Sequence, residues 1–301
     1  MTSGRRGTLC GAGAYLLWGL FPLYWPLLEP SSALEVLAHR VLWSVVAVLA
    51  LLAVTRRLPQ VRAAVRDRRR LAQLTLAAVV IGVNWGTYIY GVSNDRVLET
   101  SLGYFVNPIV TVLLGVLVLG ERLRPVQWVA LGAASLAVLV LTVENGGPPW
   151  IALVLAFSFG AYGLLKKTAG VGAVEGLAIE TVVLLPVAAV YLLVLGVSGQ
   201  STFGSEGLGH AGLVAASGII TTVPLLLFGA AASRVPLTTL GLLQYLAPTL
   251  QFLLGVVLFR EPLPVVKLIG FVLVWLGLAL FTADIVRHHR QQARVLVAAP
   301  V

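Results

Sequence analysis

Apolar residues in this chain neither alternate with polar ones nor recur as a narrow helical stripe. They run on in long blocks, and short polar breaks separate the blocks. Ten blocks are legible: 9–28, 34–54, 71–92, 97–119, 125–143, 149–165, 177–197, 208–232, 236–259 and 263–286. Each is about long enough to cross roughly 30 Å of hydrocarbon as a helix. Continuous rather than alternating hydrophobicity argues for helices over barrel strands. Breaks such as Glu29-Pro30-Ser31-Ser32 and Glu144-Asn145-Gly146-Gly147-Pro148 are turn chemistry. The pattern predicts an all-α membrane protein of ten transmembrane helices.

Composition sharpens this reading. Of 301 residues, 58% are hydrophobic and 11% charged, against about 25% charged in soluble domains. The net charge of +9 would suit nucleic acid, but the positions of the charges argue otherwise. With the N-terminus in the cytoplasm, 17 of the 21 Lys and Arg residues fall in cytoplasmic segments, and Arg96, Arg260 and Lys267 fall outside. Arg40 lies within span 2. This asymmetry predicts both termini in the cytoplasm and a multi-pass protein of the inner cell membrane. The basic residues then orient helices and touch anionic lipid, and no nucleic-acid partner is expected. Met1–Arg6 followed by block 9–28 reads as a first span, because the block has full span length and no clear cleavage site. Cys10 is the sole cysteine, and His39, His210, His288 and His289 form no ligand cluster outside the basic tail. No metal site or cofactor is expected.

The chain also repeats itself. "PIVTVLLGVLVLGERL" (108–123) matches "PTLQFLLGVVLFREPL" (248–263) at seven of sixteen positions, offset by 140 residues. Upstream, "TSLG" (100–103) echoes "TTLG" (238–241) at an offset of 138. Span 4 is thus equivalent to span 9, and each half holds five spans. Residues 1–145 form the first five-helix repeat, 146–286 the second, and 287–301 a cytoplasmic tail. An odd number of spans inverts the second half, giving a 5+5 arrangement typical of secondary transporters with a midplane site. Pro108 and Pro248 fall mid-span in the matched helices. They are expected either to kink them near the site or to shape packing alone.

The ten spans, the 5+5 repeat and the "GERL"/"REPL" span ends resemble the drug/metabolite transporter superfamily of the EamA type. More closely, "AYLLWGLFPLYW" (14–25), "LEVLAHRVLWS" (34–44) and "NWGTYIYGV" (84–92) resemble its RarD branch of chloramphenicol-sensitivity permeases. The resemblance covers roughly 9–286. It implies an inner-membrane transporter with a central cavity and with spans 5 and 10 peripheral. It supplies no substrate.

Candidate chemistry follows. "GAYGLLKKT" (160–168) lacks the glycine before lysine that a phosphate-cradling loop needs. No catalytic triad or zinc-protease motif occurs, so an enzyme is not expected. A small organic solute needs apolar walls with a few polar anchors. Trp18, Asn84, Trp85, Tyr88, Tyr104, Asn107, Tyr162, Gln244 and Tyr245 supply both, and with His39 and Arg40 they are the candidate substrate-binding residues. Arg40 is expected either to snorkel to the outer surface or to hold an anionic substrate group or pair with Glu35 or Glu99. His39 can reach Glu35 and can change charge near physiological pH. Ser32 and Glu35 form a capping box. Glu99 is spaced to pair with Arg96. Glu121 and Glu261 are expected to accept N–H bonds from spans 5 and 10, and Glu180, near the inner end of span 7, reads as structural or interfacial rather than as a proton-coupling group. Gly82 and Gly86 form a close-packing motif. The function expected is secondary transport of small organic metabolites or drugs, with export over uptake and with protons or exchange as coupling. The rivals are an intramembrane enzyme and a non-transporting, partner-binding membrane protein.

Overall fold

The structure, a computed structural model, describes residues 3–144 and 150–260, together with Leu268, Val272, Trp275, Leu276, Ala279, Leu280 and Ala283. Every regular element among the described residues is helical. Helix α1 covers Ser3–Gly19 and two short 3-10 turns, Phe21–Leu23 and Trp25–Leu28, follow it. Then come α2 (Ala33–Thr55), α3 (Leu58–Arg66), α4 (Arg68–Ser93), α5 (Val97–Leu119) and α6 (Pro125–Glu144). The second half holds α7 (Trp150–Ala169), α8 (Ala173–Val197), α9 (Gly207–Ala232), α10 (Leu237–Leu243) and α11 (Leu246–Leu253), which ends in a π turn at Leu254–Leu258. Among the described residues, seven helical runs are long and apolar enough to cross a membrane: α2, α4, α5, α7, α8, α9 and the run Leu237–Leu258.

Several elements depart from the sequence expectation. Span 1 does not stay α-helical to residue 28. Pro22 and Pro26 each open a 3-10 turn instead, because a proline cannot supply the N–H that continues a helix. The basic connector after span 2 is not an open loop. It contains α3, whose Ala64 is buried with Leu74, Ala169 and Ile179. Helix α5 passes Pro108 without interruption, so no break forms there. Its partner span divides at Gln244-Tyr245, four residues before Pro248. Pro248 has no N–H for the Gln244 carbonyl, which accepts from Ala247 N at 3.2 Å in a tighter turn. Of the glycine pair, Gly82 meets Leu184 while Gly86 faces open space. Span 10, Glu261 and the tail 287–301 lie outside the described residues, apart from the single positions named above.

The helices cross the bundle alternately, and polar bonds mark its two ends. At one end lie the N-terminus of α1, the α2–α3–α4 connection and the C-termini of α5, α7 and α9. We call this the basic face. There Arg57 meets Glu175 at 3.2 Å, and Lys167 donates to the Val235 carbonyl at 2.6 Å. Gly7 lets α1 close on Arg234 and Val235, since a Cβ there would stand 2.7 Å from both side chains. At the opposite face Tyr24 donates to Leu213 O at 2.5 Å, and Arg96 Nε donates to Glu99 Oε1 at 2.9 Å, as its spacing predicts. The main core joins α1, α2, α4, α7, α8, α9 and α10 around the buried Tyr162 and Phe228, whose rings stack at 5.5 Å.

Candidate functional site

A cavity of about 220 Å³ lies among α1, α2, α4, α5, α7, α9 and the α10–α11 break. Its walls come from ends of helices nearer the face opposite the basic one. Tyr104 on its wall is 37% exposed and Gln244 5%, and the broken span forms one side of this well. Trp18, Phe21, Trp25, Trp85, Tyr88 and Phe159 supply most of the apolar wall. Amides anchor it. Asn84 Nδ2 donates to Leu155 O and Ser158 Oγ, both at 2.9 Å, and ties α4 to α7. Asn107 Oδ1 accepts from Thr111 at 3.4 Å, and Gln244 Nε2 donates to Thr111 at 3.1 Å. The Tyr15 hydroxyl is buried beside the Gln244 side chain in the wall.

Arg40 is the charge in the well. It sits seven residues into α2, about 10 Å along the axis. Its Nε donates to Thr221 Oγ1 at 2.9 Å. Its guanidinium lies over Trp25 at 4.9 Å, Trp85 at 5.1 Å and Phe21 at 6.0 Å. It lines the cavity rather than reaching for the surface, and among the described residues no carboxylate pairs with it. The two expected partners are engaged elsewhere: Glu99 by Arg96, and Glu35 by the segment before α9. Aromatic faces are worth about 2 kcal/mol or more to a desolvated cation, yet they leave its terminal N–H groups free to bind an anion.

The sequence candidates divide accordingly. Trp18, Arg40, Asn84, Trp85, Tyr88, Tyr104, Asn107 and Gln244 meet around the well. His39, Tyr162 and Tyr245 stand apart from it. His39 points the other way on α2 and stacks on Phe203 at 4.6 Å, because adjacent helical residues diverge by about 100°. Tyr162 is spent on Glu180, and Tyr245 donates to Phe105 O at 3.3 Å between α5 and α10. The sequence reading missed Tyr15, Phe21, Trp25 and Gln251 as wall residues. The proline-spaced aromatics of "FPLYWP" were a signal for two of them.

Two carboxylates serve differently from expectation. Glu121 does not cap α6. Its Oε1 and Oε2 accept from Leu237 N at 2.7 Å and Thr238 N at 2.8 Å, which caps α10 and closes the basic face. The reason is reach: Gly120 is left-handed (φ 65°) and turns Glu121 across the bundle instead of onto the next helix. Ser32 accepts from Glu35 N at 3.2 Å, but Glu35 does not return the bond. Its carboxylate takes Ser201 Oγ, Thr202 N and Thr202 Oγ1 at 2.8–2.9 Å.

A second charged cluster lies nearer the basic face. Lys166 Nζ meets Glu180 Oε1 at 2.8 Å, and Tyr162 OH donates to Glu180 Oε2 at 3.0 Å. The Lys166 and Glu180 side chains are 4% and 2% exposed.

Comparison with known proteins bears on this architecture. The family model for the EamA-like transporter family matches twice, over residues 5–143 and 149–283. "Protein RarD" of Streptomyces exfoliatus is 56% identical over 298 residues, which is 98% of this chain and 94% of that protein. An uncharacterized transporter of Pseudomonas aeruginosa is 44% identical over 95% of this chain and 96% of its own length. A solved crystal structure superposes with a TM-score of 0.71 at 20% identity over 91% of this chain and 96% of that one, which concerns the fold alone. The chain is a multi-pass membrane protein, and it belongs to the EamA-like transporter family, in the branch of the proteins named RarD.

Proposed function

We propose that the chain is a secondary transporter that exports small organic anions, metabolites or drugs, across the cytoplasmic membrane by alternating access between two inverted halves. The observation that carries this is Arg40: among the described residues no carboxylate pairs with it, and aromatic faces hold it at the wall of the well. A charged residue within a span is costly, about 2.5–3.5 kcal/mol on the insertion scale, and a bound anion offsets that cost. The substrate's flat apolar part rests against Trp18, Trp25 and Trp85.

The inverted 5+5 arrangement draws support from helix pairing. α5 packs on α7 as α1 packs on α11, α4 on α7 as α1 on α9, and α2 on α9 as α4 on α8. Each pair becomes the other when α1, α2, α4 and α5 are exchanged for α7, α8, α9 and α10–α11. The double family match supports the same division into 1–145 and 146–286. With the basic face in the cytoplasm, the well opens outward and the described conformation is outward-facing. Glu121, Lys167 and the Lys166–Glu180 pair close the inner side.

The test is flux into and out of proteoliposomes that hold the purified protein, read over a panel of organic acids and antibiotics that includes chloramphenicol. Saturable flux of at least one anionic solute is expected. Folded protein, inserted in both orientations, that moves none of them would sink the proposal.

A further inference from the structure

The second buried cluster has a register that the first half explains. At an offset of 140 residues, Ala33, Glu35, Leu37 and Ala38 of α2 match Ala173, Glu175, Leu177 and Ala178 of α8, and Arg40 falls opposite Glu180. At an offset of 141, Gly19 and Leu23 match Gly160 and Leu164, and Phe21 and Trp25 fall opposite Tyr162 and Lys166. Each half therefore holds the charge of its second span between two side chains, four residues apart, from its first. Phe21 and Trp25 flank Arg40, and Tyr162 and Lys166 hold Glu180. Trp18 and Phe159, also equivalent, touch each other at 5.7 Å between the two clusters.

The clusters adjoin. A small void of about 10 Å³ beside Glu180 is walled mainly by Val41, Ile81, Leu177, Leu184 and Leu225, and Ser44, Trp85, Tyr162, Thr181 and Thr221 complete its lining. Trp85 and Thr221 also line the substrate well, and Thr221 holds Arg40. One layer of side chains separates the well from Glu180. Among the described residues, only Tyr162 and Lys166 bring titratable groups to it. The helices α2, α4 and α9 present Ser44, Trp85 and Thr221, and Glu175, one turn and a half back on α8, is engaged by Arg57.

The two partners differ in freedom. Lys166 stands in the last turn of α7, on a flexible four-carbon stem. A Cβ at Gly176 would lie 2.8 Å from its Nζ, so the glycine makes room for the ammonium beside Glu180. Lys166 can swing to water at the basic face. Glu180 lies seven residues inside α8, about 10 Å along the axis, and cannot follow. Removing one partner of a buried ion pair strands the other charge at a high cost. Separation is therefore feasible only when Glu180 is neutral.

We propose that Glu180 is the proton-binding site that couples transport, and that the Lys166–Glu180 pair is the lock on the cytoplasmic side. A proton from the well crosses the one layer of side chains that separates it from Glu180 and bonds to Oε1, breaking the hydrogen bond from Lys166. The protein gains one positive charge, Lys166 moves to cytoplasmic water, and the basic face is freed to open. There Glu180 gives the proton to water, Lys166 returns, and the face closes. This lock rests on the transport reading above, and it gives the proton gradient its direction in driving export.

The test needs no substrate. Cys10, the sole cysteine, is partly buried on α1 against the core next to the basic face, and its labelling by a small maleimide at fixed pH reports opening of that face. Glu180→Gln, which mimics the protonated acid, should raise the labelling rate about tenfold, a population shift of one decade. The double variant Lys166→Met/Glu180→Gln, with no ion to strand, should return it to the wild-type rate, which also separates opening from misfolding. In the reconstituted wild type, infrared difference spectra between acid and alkaline pH should show a protonated-carboxyl band that Glu180→Gln removes and Glu35→Gln leaves. Unchanged labelling in Glu180→Gln, or a band that survives it, would overturn the lock even if solute flux is found. Absent flux with both signals intact would overturn the transport reading instead.

Discussion

Arg40 and Glu180 occupy the same register in the two halves, yet their surroundings differ. Arg40 meets aromatic faces, a threonine hydroxyl and a well. Glu180 meets an ammonium and a phenol and is sealed. On the transport proposal one charge is left for a solute to complete, whereas the chain itself completes the other. The difference comes from two positions: where the first half has Phe21 and Trp25, the second has Tyr162 and Lys166. A tryptophan can solvate a cation without neutralising it, and a lysine neutralises a carboxylate outright. If the proposal holds, unlike residues at like positions of the two halves separate a binding role from a closing role.

The comparison can be broken most severely at the sealed site. Lys166→Ala leaves the Glu180 charge uncompensated and should destabilise the protein by about 3–5 kcal/mol, read as unfolding midpoint in detergent. Lys166→Met/Glu180→Met should recover most of that loss. Equal midpoints for the single and double variants would mean the pair is not a coupled unit.

At the open site the pattern should invert. Arg40→Ala is expected to abolish flux, by on the order of 100-fold or about 2.7 kcal/mol, with the unfolding midpoint shifted by no more than about 1 kcal/mol. No carboxylate is stranded when Arg40 is removed. Retained flux would return Arg40 to a structural role. A large loss of stability would show that its aromatic cage carries the fold.

Glu121 tests whether the closed face depends on more than the ion pair. Glu121→Gln keeps one acceptor for these N–H groups and turns an NH2 donor toward the other, so it should cost about 1.5–3 kcal/mol. It should also speed Cys10 labelling without touching the well. A labelling rate equal to wild type would confine the lock to Lys166 and Glu180.

The smallest effect is expected at Trp25→Leu. It removes one cation–π face, worth about 0.5–2 kcal/mol, and should weaken solute affinity severalfold, read as half-saturation in the flux assay. Trp25→Lys sharpens the comparison further. It gives the first half the second half's residue and places a second cation against Arg40, so flux should fall more than in the leucine variant.

The hydropathy blocks agree with α2, α4, α5, α6, α7, α8 and α9 to within a few residues, because bilayer thickness sets helix length directly. Span 1 and span 9 were less legible. Proline chemistry truncated one at Gly19, and in the other it moved the break four residues upstream to Gln244. The wall residues that are aromatic or amide were visible as unusual residues in apolar runs. Tyr15 and Gln251 carry the same chemistry and needed only a position. His39 and Tyr162 look equally suitable by type, but they project from the wrong side of their helices or are taken by a nearer partner.

The sequence by itself determined the membrane class, the helix periods, the repeat, the asymmetry of positive charge and the family. These are properties of residues summed along the chain, where burial in lipid and backbone satisfaction leave few alternatives. Only the tertiary structure decided which polar groups meet. Arg40 lacks a carboxylate because Glu35 and Glu99 were claimed by Ser201, Thr202 and Arg96, and Glu180 has its ammonium because α7 and α8 bring Lys166 to it. Pairing of charges across helices depends on rotation and depth to within a few ångströms, and hydropathy carries no such information.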